Sequence, residues 1–69
     1  MLNYVIKVYD KNGGFYGYFA KHPEEPGLPY YTESINNAIK YKKLENARAR
    51  AAEIMYNTDF ECLVVSEII

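Results

Sequence analysis

Apolar and polar positions alternate near both ends of the chain and recur at a longer period in between. Residues 2–9, LNYVIKVY, and 15–20, FYGYFA, are dominated by β-branched and aromatic types, which suit a pleated, half-buried surface. DKNGG lies between them. Asn12-Gly13 tolerates the positive φ of a type I′ turn, so the segment predicts a β-hairpin. With these two residues in the turn, Asp10 faces Phe15, Tyr9 faces Tyr16, Val8 faces Gly17, Lys7 faces Tyr18 and Ile6 faces Phe19. Side chains alternate along a strand. One face then carries Tyr4, Ile6, Val8, Phe15 and Phe19, and the other carries Val5, Lys7, Tyr9, Tyr16 and Tyr18. A three-residue loop would slip the register by one and undo this sorting.

Residues 21–29, KHPEEPGLP, predict a loop, since the prolines and glycine interrupt regular structure. PYYT at 29–32 reads as a short third strand or edge segment. Thr32 or Ser34 can cap a brief helical turn in SINNAIKY, with Ile35, Ala38 and Ile39 at inward spacing. In residues 44–56, LENARARAAEIMY, the apolar set Leu44, Ala47, Ala51, Ile54 and Met55 falls at helical spacing. Glu45 with Arg48, and Arg50 with Glu53, are i,i+3 pairs on its outer faces, and Asn57 suits the helix C-terminus. FECLVVSEII at 60–69 reads as a last strand. Its apolar residues point both ways, as expected of a central strand or one at an interface. The fold class expected is α+β, as a single domain over residues 1–69. A small antiparallel sheet (hairpin, short third strand, C-terminal strand) carries one main helix on one face, in the order β-β-(β)-α-β.

A single helix covers one face of such a sheet. The face with Ile6, Val8 and Phe19 matches the helical stripe, which leaves the tyrosine face for something outside the monomer. Tyrosine buries its ring while keeping a hydroxyl for a hydrogen-bond partner, and it is enriched at interfaces. It is also an ordinary strand former, which is the competing explanation. The candidate binding residues are Lys7, Tyr9, Tyr16 and Tyr18 on that face, with Tyr30, Tyr31 and the acidic pair Glu24 and Glu25 from the neighbouring loop and edge.

Composition narrows the chemistry. A chain of 69 residues builds a marginal core and gains from self-association, so a homodimer or higher oligomer is expected to help. One cysteine, Cys62, allows no internal disulfide. Eight Lys/Arg against nine Asp/Glu give a net charge of −1, without the basic excess that nucleic-acid binding normally requires. The absence of a long apolar run predicts a soluble, cytosolic chain without a membrane span. His22 stands in the loop without a nucleophile at motif spacing. Cys62 sits among aliphatic residues and reads as a small hydrophobe. Neither a cofactor, nor a metal, nor catalysis is expected.

The chain resembles a group of very small phage and prophage proteins. The matching pieces are Tyr4-Val5-Ile6-Lys7, Gly17-Tyr18-Phe19, Thr32 with Ile35 and Ala38, Tyr41, Glu45 with Ala49, and Val64-Val65. The resemblance covers most of the chain and contains no active-site motif. It implies an accessory product of a mobile element, of the kind that binds and inhibits host defence proteins such as CRISPR nucleases or restriction systems. HPEEPGLP has no counterpart in that pattern and becomes a candidate specificity loop. Two other readings stay open. One is an oligomeric sponge for a nucleotide-type ligand, with Lys7 and Lys21 meeting phosphate. The other is a DNA-associated structural protein using Lys40, Lys42, Lys43, Arg48 and Arg50.

Overall fold

The computed structural model describes residues 2–25 and 27–68; Pro26 of the predicted loop and Ile69 of the predicted last strand lie outside the described residues. The elements are β1 (Leu2–Tyr9), β2 (Phe15–Lys21), β3 (Pro29–Thr32), a 3-10 turn (Ile35–Asn37), α1 (Leu44–Asn57) and β4 (Glu61–Ile68). The strands form one antiparallel sheet in the order β3-β2-β1-β4. This is the expected α+β architecture, with the third strand present. β4 is an edge strand, not a central one. Its apolar residues on both faces therefore have another cause than burial between two strands, and Leu63 remains 52% exposed.

The hairpin departs from the predicted turn in an instructive way. Asn12 has no positive φ and Gly13 alone takes the left-handed conformation, at φ 88°. Asp10 N donates to Gly14 O, and Gly13 N donates to Asp10 O. The loop is thus the three residues Lys11, Asn12 and Gly13, a turn closed by a glycine that tolerates positive φ. Asp10 Oδ1 locks it by accepting from Asn12 N and Gly14 N. Tyr9 consequently pairs with Phe15 and not with Tyr16. A bulge then absorbs Tyr16, and the ladder resumes at Val8 with Gly17 and Lys7 with Tyr18, as expected from the sequence. The one-residue slip is confined to the hairpin tip.

β1 and β2 fork beyond Lys7 and Tyr18. The chain between β3 and α1 enters the fork, with Tyr41 exchanging both backbone hydrogen bonds with Tyr4 and Ile39 N donating to Phe19 O. Ala38 bridges Ala20 on the other side. Residues 38–41 were expected in a helical turn. They are extended because the open ladder offers them backbone partners, and only Ile35–Asn37 is 3-10 helical. Ile39 points into the core as predicted.

α1 packs on β1 and β4. Its buried residues are Ala47, Ala51 and Ile54, and they meet Ile6, Val8 and Phe19 of the sheet. The alanines let the helix axis approach closely. Leu44 is only partly buried and Met55 is 39% exposed, so the stripe is narrower than its spacing suggests. Arg50 and Glu53 form the expected ion pair at 2.9 Å, whereas Glu45 and Arg48 do not pair. Asn57 Nδ2 and Thr58 Oγ1 donate to the carbonyls of Glu53 and Ile54, which closes the last turn.

At Gly17, β2 lies close against the backbone of β3. A Cβ there would stand 3.1 Å from Thr32 O and 3.4 Å from Thr32 N, both backbone atoms that cannot swing aside. Gly17→Ala is expected to cost about 1–3 kcal/mol of stability, read as a lower urea midpoint at an unchanged m-value.

Candidate functional site

The bulge exchanges two aromatic rings between the faces. Phe15 lies edge-on to Tyr9 at 5.6 Å and to Tyr18 at 5.2 Å, and the Lys7 ammonium stands 5.7 Å from its ring centre. Phe15 therefore joins the face that α1 does not cover. Tyr16 goes to the helix side, where it lies 4.6 Å from the Phe60 ring and 5.3 Å from Tyr31. Both were expected on the opposite faces. Tyr31 also belongs to the helix side, packed on Phe19 and Phe60.

Of the predicted binding residues, Lys7, Tyr9 and Tyr18 share the open face. Tyr30 joins them by its register with Ala20. Tyr16 and Tyr31 do not belong to it. Leu63 and Val65 of β4 do, because they pair with Lys7 and Val5. The result is a patch centred on Phe15 at 47% and Leu63 at 52% exposure, with Tyr9, Tyr18, Lys7 and Val65 partly buried around them. The far end of this face is closed. Val5, Ala20 and Ala38 are buried there, beside the segment wedged into the fork. Lys40 folds back at that end to donate to the carbonyls of Ile35 and Ala38. The expectation that nothing in the chain covers this face holds only for the Phe15 end.

The loop after β2 is organised by His22. Its Nδ1 accepts from the backbone N–H of both Glu24 and Glu25, and its ring lies 5.4 Å from Tyr30. That role requires an unprotonated Nδ1. Glu24 and Glu25 are exposed. The loop leaves β2 at Lys21, whereas Phe15 begins the strand. Six steps of extended chain separate the two by about 20 Å, so loop and aromatic patch are distinct surfaces.

A cleft of about 220 Å³ opens on the helix side between α1, β2 and the loop, floored by Phe19, Tyr31, Ile39 and Ile54. Part of its polar rim is already engaged. Arg50 pairs with Glu53, Asn57 with Glu53 O, and His22 with its own loop. Lys21 lines this cleft while Lys7 lies over Phe15 on the other face, so the two lysines do not converge on one phosphate within a protomer. In the basic cluster, Lys40 and Arg50 are likewise occupied by internal partners. Burial and the neighbouring Glu61 raise the Cys62 thiol above its ordinary value, which lowers its thiolate population. Among the described residues no helix is long and apolar enough to cross a membrane.

Burial also raises the Tyr31 and Tyr41 phenols; Cys62 and Tyr16 add to the effect at Tyr31, while Arg50 opposes it at Tyr41. The neutral phenol is favoured in the folded chain, so its stability is intact below the ordinary tyrosine value of about 10. It is lost as pH rises through the higher folded-state values. Urea midpoints are expected to fall as pH rises above about 10, and to fall less steeply in Tyr31→Phe.

Comparison with protein-family models, with curated proteins and with solved structures finds no match to this chain.

Proposed function

We propose that the chain is a small non-enzymatic binding protein that engages another protein through its open sheet face, with Phe15 and Leu63 as anchors. The observation that carries this reading is the concentration of Phe15, Tyr9, Tyr18 and Leu63 on the one face that α1 leaves bare. Exposed aromatic rings held by their neighbours give contact area at little cost in side-chain entropy, which is the chemistry of binding hot spots. Lys7 sits at the edge of the cluster and supplies a cation for an acidic group on the partner. A balanced charge of −1 favours a protein over a nucleic-acid partner. The likeness to small phage and prophage products makes a host defence protein the partner class, with inhibition by direct contact as the outcome. The His22-ordered loop then serves as a second, separate contact.

The test compares capture of host proteins by the tagged wild type, by Phe15→Ser/Tyr18→Ser, and by Tyr56→Ser. Tyr56 is 89% exposed on α1, away from the proposed face. A protein retained by the wild type and by the Tyr56 variant is expected to be lost from the double variant. The corresponding drop in affinity is at least roughly 30-fold, as for removal of a hot spot. Equal retention by all three would place the contact elsewhere.

A further inference from the structure

The edges of the sheet are unequal. β3 is four residues long and starts at Pro29, a short edge that resists further pairing. β4 runs eight residues, ECLVVSEI, without proline, glycine or lysine. The phase of its hydrogen bonds follows from β1. Tyr4 N and O both bond Tyr41, so Tyr4 directs its backbone groups away from β4. Antiparallel ladders alternate. Asn3, Val5, Lys7 and Tyr9 therefore bond β4 at Glu67, Val65, Leu63 and Glu61. The N–H and C=O groups of Cys62, Val64 and Ser66 point outward from the free edge.

We propose that a second copy of this chain pairs antiparallel on β4, forming a two-fold dimer with a continuous eight-stranded sheet. A two-fold axis perpendicular to the sheet keeps both helices on one side, so only residues of the same face can stand opposite each other. Two registers fit the strand. Centring on Val64 sets Glu61 opposite Glu67 of the second copy, twice, and like charges directly opposed are destabilising. Centring on Val65 removes that conflict. Val65 meets its own copy, Val64 bonds Ser66 of the second copy, and Glu67 of the second copy falls opposite Leu63.

The Val65 register also brings complementary charge together. Lys7 pairs with Leu63 within the chain, so the row across the interface reads Lys7, Leu63 and then Glu67 of the second copy. Glu67 Oε2 is buried without a hydrogen-bond partner among the described residues. Lys7 lies on the same face with its ammonium over Phe15 on the β2 side, and in the dimer it would swing over Leu63 to meet this carboxylate. The dimer sets the two Phe15-centred patches on the same side of one sheet. Its backbone pairing along β4 stands or falls independently of what those patches bind, and Lys7 is the residue the two readings share.

Val65→Cys in a Cys62→Ser background tests the register. Val65 would face its copy in a pair without mutual backbone hydrogen bonds, with Cα atoms about 4.5 Å apart, within disulfide range. Mild oxidation is expected to link most of the protein as dimer, while Val64→Cys in the same background links poorly. Ser66→Pro tests the edge itself. It removes an outward N–H without taking a bond from the β1 ladder, and should raise the dimer dissociation constant at least roughly tenfold, with the circular dichroism spectrum retained. A wild type that sediments as monomer at its highest soluble concentration would overturn the proposal. So would efficient linkage at position 64 and not 65, or a dimer indifferent to Ser66→Pro in a chain that remains folded.

Discussion

The register between β1 and β2 decides what every other surface of this protein can be. Gly13 accepts a left-handed conformation that Asn12 does not take, so the turn closes over three residues and Tyr9 meets Phe15. Left uncorrected, that slip would turn the whole of β2 over and put Phe19 on the solvent face. The bulge at Tyr16 restores the alternation within one residue. Phe19 returns to the core and the displaced rings are dealt to opposite sides. Phe15 then gathers Tyr9 and Tyr18 on the bare face, and Tyr16 closes over Phe60 and Tyr31 on the other.

The second constraint is the size of the cover. A helix of 14 residues spans about 21 Å and packs chiefly on β1 and β4, touching β2 at Phe19. Its buried face is mostly alanine, which permits close approach but hides little apolar area. Aromatic rings fill the space the helix cannot reach. The pairing of Tyr31 with Phe19 and Phe60 extends the core toward β3, and the chain at 38–41 seals the fork between β1 and β2. Two surfaces stay unserved by the fold, the Phe15 end of the open face and the outer edge of β4. The first is apolar and the second presents unpaired backbone N–H and C=O groups, and among the described residues nothing covers either.

A few polar residues hold the chain in place. His22 ties the loop, Asp10 ties the hairpin, Lys40 ties the connection and Arg50 is paired on the helix. The remaining charged side chains are spread over the surface with both signs balanced, so the functional reading rests on the exposed aromatic cluster at Phe15.

Element identity was legible in the sequence because each segment carries a local signal. β-branched and aromatic runs mark β1, β2 and β4, glycine and asparagine mark the turn, and the spacing of Ala47, Ala51 and Ile54 marks α1. Lys7, Tyr9 and Tyr18 were assigned to the correct face by alternation alone. Phe15 and Leu63 were not found. Phe15 depends on a bulge that exists to repair a turn, and Leu63 depends on β4 lying at the edge, which is a matter of strand order. Alternation and helical period are properties of neighbouring residues, and the chain determines them by itself. Strand order, the repair of the register and the wedge at 38–41 arise from competition among distant backbone groups for the same partners, and only the assembled tertiary structure resolves it.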